Sequence, residues 1–274
     1  MATEAPRVAA LYRHPLKGFT PESCEAITVR ADGRVEGDRV LAFLLGDAPS
    51  EAPQQAAGAD WWPKAHMLAL VNTPALARLT LRYDEAIRRV SISLEGALLV
   101  EDTLDATGRL RIAEAVGAWA REQREQPDLD RPGRLPLRLI GDGVTPRYQD
   151  NATGNVTLHG RGSLRALADA LDDPALDEQR FRSNIVVEGL EAWGEFDWVD
   201  QAVRIGGVTF DVLRPAVRCL ATHASPSEGV RDREVMTTLV SAFGHERPSF
   251  AVHMLPREGG QVRLGDPVEV VAAR

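Results

Sequence analysis

Val208-Thr209-Phe210-Asp211-Val212-Leu213-Arg214-Pro215-Ala216-Val217-Arg218-Cys219 reads as a strand that runs into a reactive end. Val208, Phe210 and Val212 alternate with Thr209 and Asp211, the period of two that turns one face of a strand to a core and the other to water. The same period recurs where Val90, Ile92 and Leu94 are separated by Ser91 and Ser93. Three segments carry helical spacing instead. They are Ile112, Val116 and Trp119; Leu164, Leu167, Ala168 and Leu171; and a stretch from Glu234 to Phe243 stopped by Gly244. Many short strands with helices between them predict a predominantly β, α+β chain of barrels with helical insertions, not a doubly wound sheet.

Length and composition bound the organisation. With 274 residues, 44% of them hydrophobic, the chain can fill two ordinary cores. Glu122 to Arg134 combines charges with Pro127, Pro132 and Gly133, so the join is placed there, giving domains over 1–125 and 126–274. Ser50 to Gly58, rich in Ala, Gln and Pro, reads as a mobile excursion within the first. A net charge of −8 argues against a nucleic-acid partner. Met1 to Pro6 lacks a signal-peptide pattern, and the apolar runs Leu41–Leu45 and Met67–Val71 are too short to span a bilayer, so a cytoplasmic protein without membrane contact is expected. No internal repeat occurs, and the absence of Walker and dinucleotide glycine motifs removes support for nucleotide hydrolysis and Rossmann-type hydride transfer.

Cys219 follows Arg218, and a guanidinium beside a thiol favours the thiolate, the form that attacks electrophiles and binds soft metals. Arginine also offers a planar fork to phosphate oxygens. A lone intracellular cysteine is equally open to the plain reading of a small buried hydrophobe. The other cysteine, Cys24, beside Ser23, is read as a bystander, and two cysteines make no disulfide framework. Among 32 basic residues only Lys17 and Lys64 are lysines. Lys17, after a proline-bearing turn and before Gly18, is the better candidate for a position needing a compact ammonium near a ligand.

Arg180-Phe181-Arg182-Ser183-Asn184-Ile185-Val186-Val187-Glu188-Gly189, Arg218 to Thr222 with Pro226 and Gly229, and Gly259 to Val268 resemble the MOSC domain, named for the molybdenum cofactor sulfurase C-terminus. Leu11 to Gly18 and Gly37-Asp38-Arg39 resemble the β-barrel domain that precedes MOSC in amidoxime-reducing proteins and their bacterial relatives. The resemblance implies an N-terminal β-barrel-like domain followed by a MOSC β-barrel, with molybdenum cofactor held between them. It implies Cys219 as metal ligand and catalytic residue, and Lys17, Arg39, Ser163, Arg182, Asn184 and Arg218 as cofactor-binding residues. If the stretch is extended, Arg182 and Asn184, two apart, point the same way. Each has a plainer competitor: Arg39 beside Asp38 is also a simple ion pair, Arg182 a surface arginine, and Ser163 a helix N-cap.

The implied function is reduction of N-hydroxylated or N-oxide substrates by oxygen-atom transfer. Two cysteines cannot ligate an ordinary iron–sulfur cluster, so electrons are expected from a separate flavin or iron–sulfur partner. The alternative is a molybdenum cofactor carrier without turnover, with a metal-free contact module as a third reading. Pyridoxal phosphate is not expected, because the chain is too short for a sulfurase's desulfurase domain. Three departures from the family pattern stand out: His253 at an aromatic position, Gly18 where serine is frequent, and Gly160-Arg161-Gly162, which would widen the pocket or admit a nucleotide-extended cofactor. On residue types alone, zinc on Cys219, His223 and either His245 or His253, and a cysteine hydrolase using Cys219, remain open.

Overall fold

A computed structural model describes residues 5–56 and 59–271 of the chain. The elements are β1 (Arg7–Arg13), β2 (Glu22–Ser23), β3 (Ala26–Val29), β4 (Ala42–Leu44), β5 (Gln54–Ala56), β6 (Ala59–Trp61), β7 (Leu79–Asp84), β8 (Arg89–Leu94), β9 (Ala97–Thr103) and α1 (Ala106–Arg121). There follow β10 (Arg138–Ile140), β11 (Val156–Gly160), α2 (Arg161–Ala170), β12 (Ile185–Glu188), β13 (Ala202–Ile205), β14 (Val208–Val217), α3 (Val235–Ser241), β15 (Ser249–Pro256), β16 (Gly260–Arg263) and β17 (Val268–Val271). The chain is predominantly β, and its largest sheet curls into a half-barrel in the order β17-β13-β14-β15-β11-β12-β1-β2.

Alternation decides what that sheet buries. Val156 and Leu158, Ile185 and Val187, Val208, Phe210 and Val212, and Val252 and Met254 turn to one face and form a single apolar core. Thr157 and His253 project from the opposite face, and their Cα atoms are partners across β11 and β15. Most pairs in the sheet are antiparallel, but β11 and β12 run parallel with α2 in the crossover. That geometry requires a connection of a dozen residues or more, which α2 and its flanking turns provide.

The N-terminal third is shared between two cores. β1 pairs with β12, and β3 pairs with β16, so residues 7–29 complete the larger sheet system. Residues from Leu16 to Leu139 fill a second core, roofed by α1 and floored by the meander β7-β8-β9. Asp105 caps α1 by accepting from Gly108 N–H at 2.8 Å, and Ile112, Val116 and Trp119 bury their expected stripe. The segment 122–134 forms turns between α1 and β10, and β10 crosses back to pair with β4. Within Ser50 to Gly58 the structure forms β5, paired with β6, whereas residues 57 and 58 lie outside the described residues. α3 is shorter than the predicted Glu234–Phe243, and Gly244, at φ 68°, returns its N–H to Val240 O at 3.1 Å.

His159, at the end of β11, is fully buried against Phe250, with ring centroids 5.2 Å apart. Neither ring nitrogen finds a partner among the described residues. Burial pushes its pKa down from 6.5 to about 4. Between those values the unfolded chain holds the extra proton, so this contribution is complete above pH 6.5 and is lost as pH falls toward 4. In urea unfolding series from pH 7 to pH 4, His159→Leu is expected to make the acid-side loss of stability shallower. A slope equal to the parent's would show that His159 does not titrate as its burial requires.

Candidate functional site

A cavity of about 760 Å³ opens on the outer face of the half-barrel, where loops from both cores converge. Its floor is a row across the sheet. Asn184 donates its N–H to Thr157 O at 3.0 Å, Thr157 is the register partner of His253, and His253 is the partner of Arg214. Strict alternation from Val212 would have turned Arg214 to the inner core. Instead the register shifts between Val212 and Arg214, the extra residue Leu213 forming a bulge that re-aims the guanidinium to the cavity face.

One wall is cationic and anchored to backbone carbonyls. Buried Lys17 donates to Tyr148 O at 2.9 Å and to Asp150 at 2.5 Å. Burial lowers the Lys17 pKa, while Asp150 works against that shift. Arg39 pairs with Asp38, as the plainer sequence reading allowed, and reaches Arg182 O at 3.3 Å. Burial alone would raise the Asp38 carboxyl, but Arg39 and His14 together hold it well below its ordinary range. Arg182 donates to Phe19 O at 2.6 Å, and Arg218 donates to Phe181 O while its guanidinium lies 5.9 Å from the Phe181 ring centroid.

Two of these arginines sit on strained backbone. Arg39 has φ 52° and Arg182 has φ 51°, the left-handed region that side chains other than Gly, Asn and Asp seldom adopt. Arg182 and Asn184 therefore do not lie on one extended strand, yet both reach the cavity. Such strain persists where the surroundings over-determine it, and it clusters at ligand sites. Arg182 also lacks a carboxylate at ion-pair distance among the described residues, and its Nη2 and the Nε of Arg218 are buried without partners. Burial and the neighbouring Arg39 push the Arg182 pKa down to about 9, the mark of a cation short of counter-charge.

Cys219 lines the same cavity just beyond β14, its carbonyl accepting from Thr222 N–H at 3.0 Å. Asn184 lines it too, but its side chain serves the fold: Nδ2 donates to Tyr12 O at 3.2 Å and Oδ1 accepts from Thr157 N–H at 3.4 Å, joining β1 to β11. The zinc reading finds no support, since among the described residues no three His, Cys, Asp or Glu side chains gather to hold a metal. His223 Nε2 is already occupied by Met236 N–H at 3.2 Å. Arg214, Thr157 and Asp150 were missed by sequence reasoning. The break in alternation after Val212 was the one signal that could have found Arg214.

Residues 147–269 match the family model of the MOSC domain. Lys17, Arg39 and the 69–71 segment of the cavity lie outside that match and come from the N-terminal part. The chain is 34% identical over 98 residues to mitochondrial amidoxime reducing component 2 of Rattus norvegicus, covering 32% of this chain and 28% of that protein. It is 31% identical over 129 residues to molybdenum cofactor sulfurase 2 of Culex quinquefasciatus, covering 42% of this chain and 17% of the relative. The chain thus spans less than a third of the length of these curated relatives. Among solved structures, the YUAD protein from Bacillus subtilis aligns at TM-score 0.42 and 8% identity, covering 99% of this chain and 98% of the other. No helix among the described residues is long and apolar enough to cross a membrane.

Ser163 stands apart from the cavity. It is the third residue of α2, whose N-cap is Gly160, so it is neither the expected cap nor a lining residue. Its hydroxyl donates to Glu195 Oε2 at 2.8 Å and accepts from Trp193 N–H at 2.8 Å. Glu195 is fully buried, and burial raises its pKa despite the Ser163 and Gly160 donors. Gly160 and Gly162 do not widen the pocket; a side chain at Gly162 would come within 2.2 Å of Leu190 O. Ser163→Ala strips Glu195 of a donor and orphans Trp193 N–H, so urea unfolding is expected to show a loss of roughly 1–3 kcal/mol. An unchanged stability would remove this structural role.

Proposed function

We propose, from the MOSC domain that the chain carries over residues 147–269, that this cavity holds molybdenum cofactor and that the protein reduces N-hydroxylated or N-oxide substrates. The observation that carries this reading is one cavity combining a thiol, Cys219, with buried guanidinium N–H groups that lack partners, at Arg182 Nη2 and Arg218 Nε. A terminal phosphate satisfies donors of that kind, and a soft metal takes a thiolate. The residues present therefore fit the group.

Lys17, Arg39, Arg182 and Arg218 would hold its anionic end, each already fixed to a backbone carbonyl or to Asp38. Cys219 would supply the protein's sulfur to the metal. The chemistry supplied when the cofactor is bound is two-electron oxygen-atom transfer from the substrate nitrogen. His253 faces the same floor as a neutral imidazole, because burial, Arg214 and Arg218 push its pKa down to about 4. With only Cys24 and Cys219 in the chain, the electrons are assigned to a separate flavin or iron–sulfur donor.

Metal analysis of protein made in a host competent for cofactor synthesis is expected to find stoichiometric molybdenum, and zinc or no metal under full supply would overturn the reading. Reduction of an amidoxime by dithionite-reduced dye then separates an enzyme from a carrier, since loaded protein without turnover argues for the carrier. Arg182→Ala is expected to weaken cofactor retention roughly 10- to 100-fold while the fold persists, the loss of one charge-assisted hydrogen bond. Cys219→Ser replaces a soft donor with a hard one of nearly equal size. It is expected to fold, to keep part of its pterin and to lose nearly all activity. X-ray absorption at the molybdenum edge should then count one fewer sulfur, and an equal count in both proteins would remove Cys219 as ligand.

A further inference from the structure

The cavity carries more positive charge than a single terminal phosphate requires. Eight cationic side chains line it, against the two carboxylates Asp150 and Glu246, in a chain whose net charge is −8. Lys17 and, at 3.9 Å, Lys64 are paired with Asp150, Arg39 with Asp38, and Arg180 with Asp232 through two hydrogen bonds of 2.7 and 2.6 Å. Arg182 and Arg218, which have no carboxylate at ion-pair distance among the described residues, are assigned to the cofactor. Arg214 and Arg247 remain.

These two are exposed at the cavity, and neither makes a side-chain hydrogen bond or an ion pair among the described residues. Some arginines on the surface have acidic neighbours, as Arg257 has Asp211 and Arg204 has Glu269, while exposed Arg82, Arg88 and Arg124 have none among the described residues, so it is the place on a cavity lining that marks these two. Glu246, next to Arg247, forms no ion pair within that set. Arg214 is moreover aimed at the floor by the Leu213 bulge, where both it and Arg218 depress His253. Guanidinium groups gathered around one cavity repel, and an anion relieves that repulsion.

Arg247 precedes Pro248, whose carbonyl accepts from Arg218 N–H at 2.8 Å, so it lies at the Cys219 end, whereas Arg214 stands opposite His253. We infer that Arg214 forms a substrate subsite for an anionic group, so that the preferred substrate is an N-oxygenated compound bearing a carboxylate. Planar, bidentate recognition of carboxylate is what a guanidinium does best. From Arg214 to Cys219 the backbone covers at most about 16 Å at strand rise. Val217, 41% exposed, lies between them on the cavity lining. A molecule with its carboxylate and its N–OH at opposite ends of an apolar body can reach from Arg214 past Val217 to Cys219. The inference rests on the proposed reductase reading for what happens at the N–OH end. The anion subsite itself does not.

The test therefore measures binding and turnover separately, with benzamidoxime and 4-carboxybenzamidoxime as neutral and anionic probes of one shape. By equilibrium titration of the loaded protein, the carboxylate probe is expected to bind roughly tenfold more tightly, as one charge-assisted contact provides. In Arg214→Gln that preference should fall to near unity and lose its dependence on salt, whereas Arg247→Gln should keep it. Equal affinity of the two probes for the parent, a preference that survives Arg214→Gln, or binding of neither probe would each overturn the subsite. Selective binding without dye-driven turnover of either probe would sink the reductase reading and leave the subsite standing. Turnover of both with equal KM would do the reverse.

Discussion

Positive charge held without counter-charge is the constraint on which this molecule turns. Left free in water, Arg182 and Arg218 would separate and hydrate. Here each is fastened by a hydrogen bond to a main-chain carbonyl, at Phe19 O and Phe181 O respectively. Carbonyl dipoles soften the repulsion without neutralising it, so the charge stays available to a ligand. The two left-handed arginine conformations, each costing on the order of 1–2 kcal/mol, belong to the same arrangement. Two apolar cores flank the cavity and keep the loops that carry these residues from relaxing.

Why the cavity lies where it does follows from chain sharing between those cores. β1 leaves the edge of the large sheet at Arg13 and turns directly into the loop bearing Lys17, while β12 is entered through the turn bearing Arg182. Asn184 ties the two together, with Tyr12 N–H donating to Asn184 O at 2.9 Å and the Asn184 amide donating back to Tyr12 O. One asparagine thus fixes how far apart Lys17 and Arg182 can stand. One amide N–H is committed to Tyr12 O, and the second is left for a ligand in the cavity that Asn184 lines.

Much of this was legible in the sequence for an identifiable reason. Period-two and helical patterns report burial, and burial dominates folding, so the strands at Val90 and Val208 and the stripe of α1 were readable directly. The cavity residues carried by short local motifs, Lys17-Gly18, Arg182 and Arg218-Cys219, were readable as well. What escaped depends on contacts distant in sequence. Ser163 looked like a cap or a cofactor ligand because nothing near it announces Glu195, 32 residues on. Asp150 carries no local signal, because its partner Lys17 is 133 residues away in sequence. Arg214 was hidden by a single inserted residue, because a bulge inverts the facing rule that makes strands readable at all.

His253 ties the electrostatics of the two arginine groups to one observable group. It stands between Arg214 on its own cross-strand row and Arg218 at the strand end, and burial, then Arg214, then Arg218 keep its ring neutral. An anion bound at either guanidinium removes one of those influences and makes the imidazolium easier to form. By linkage, protonation of His253 must in turn strengthen anion binding at both. An aromatic side chain at this position could line the floor equally well, but it could not take up a proton as charge arrives. The histidine therefore gives this cavity a capacity to adjust its own charge that an aromatic floor would lack.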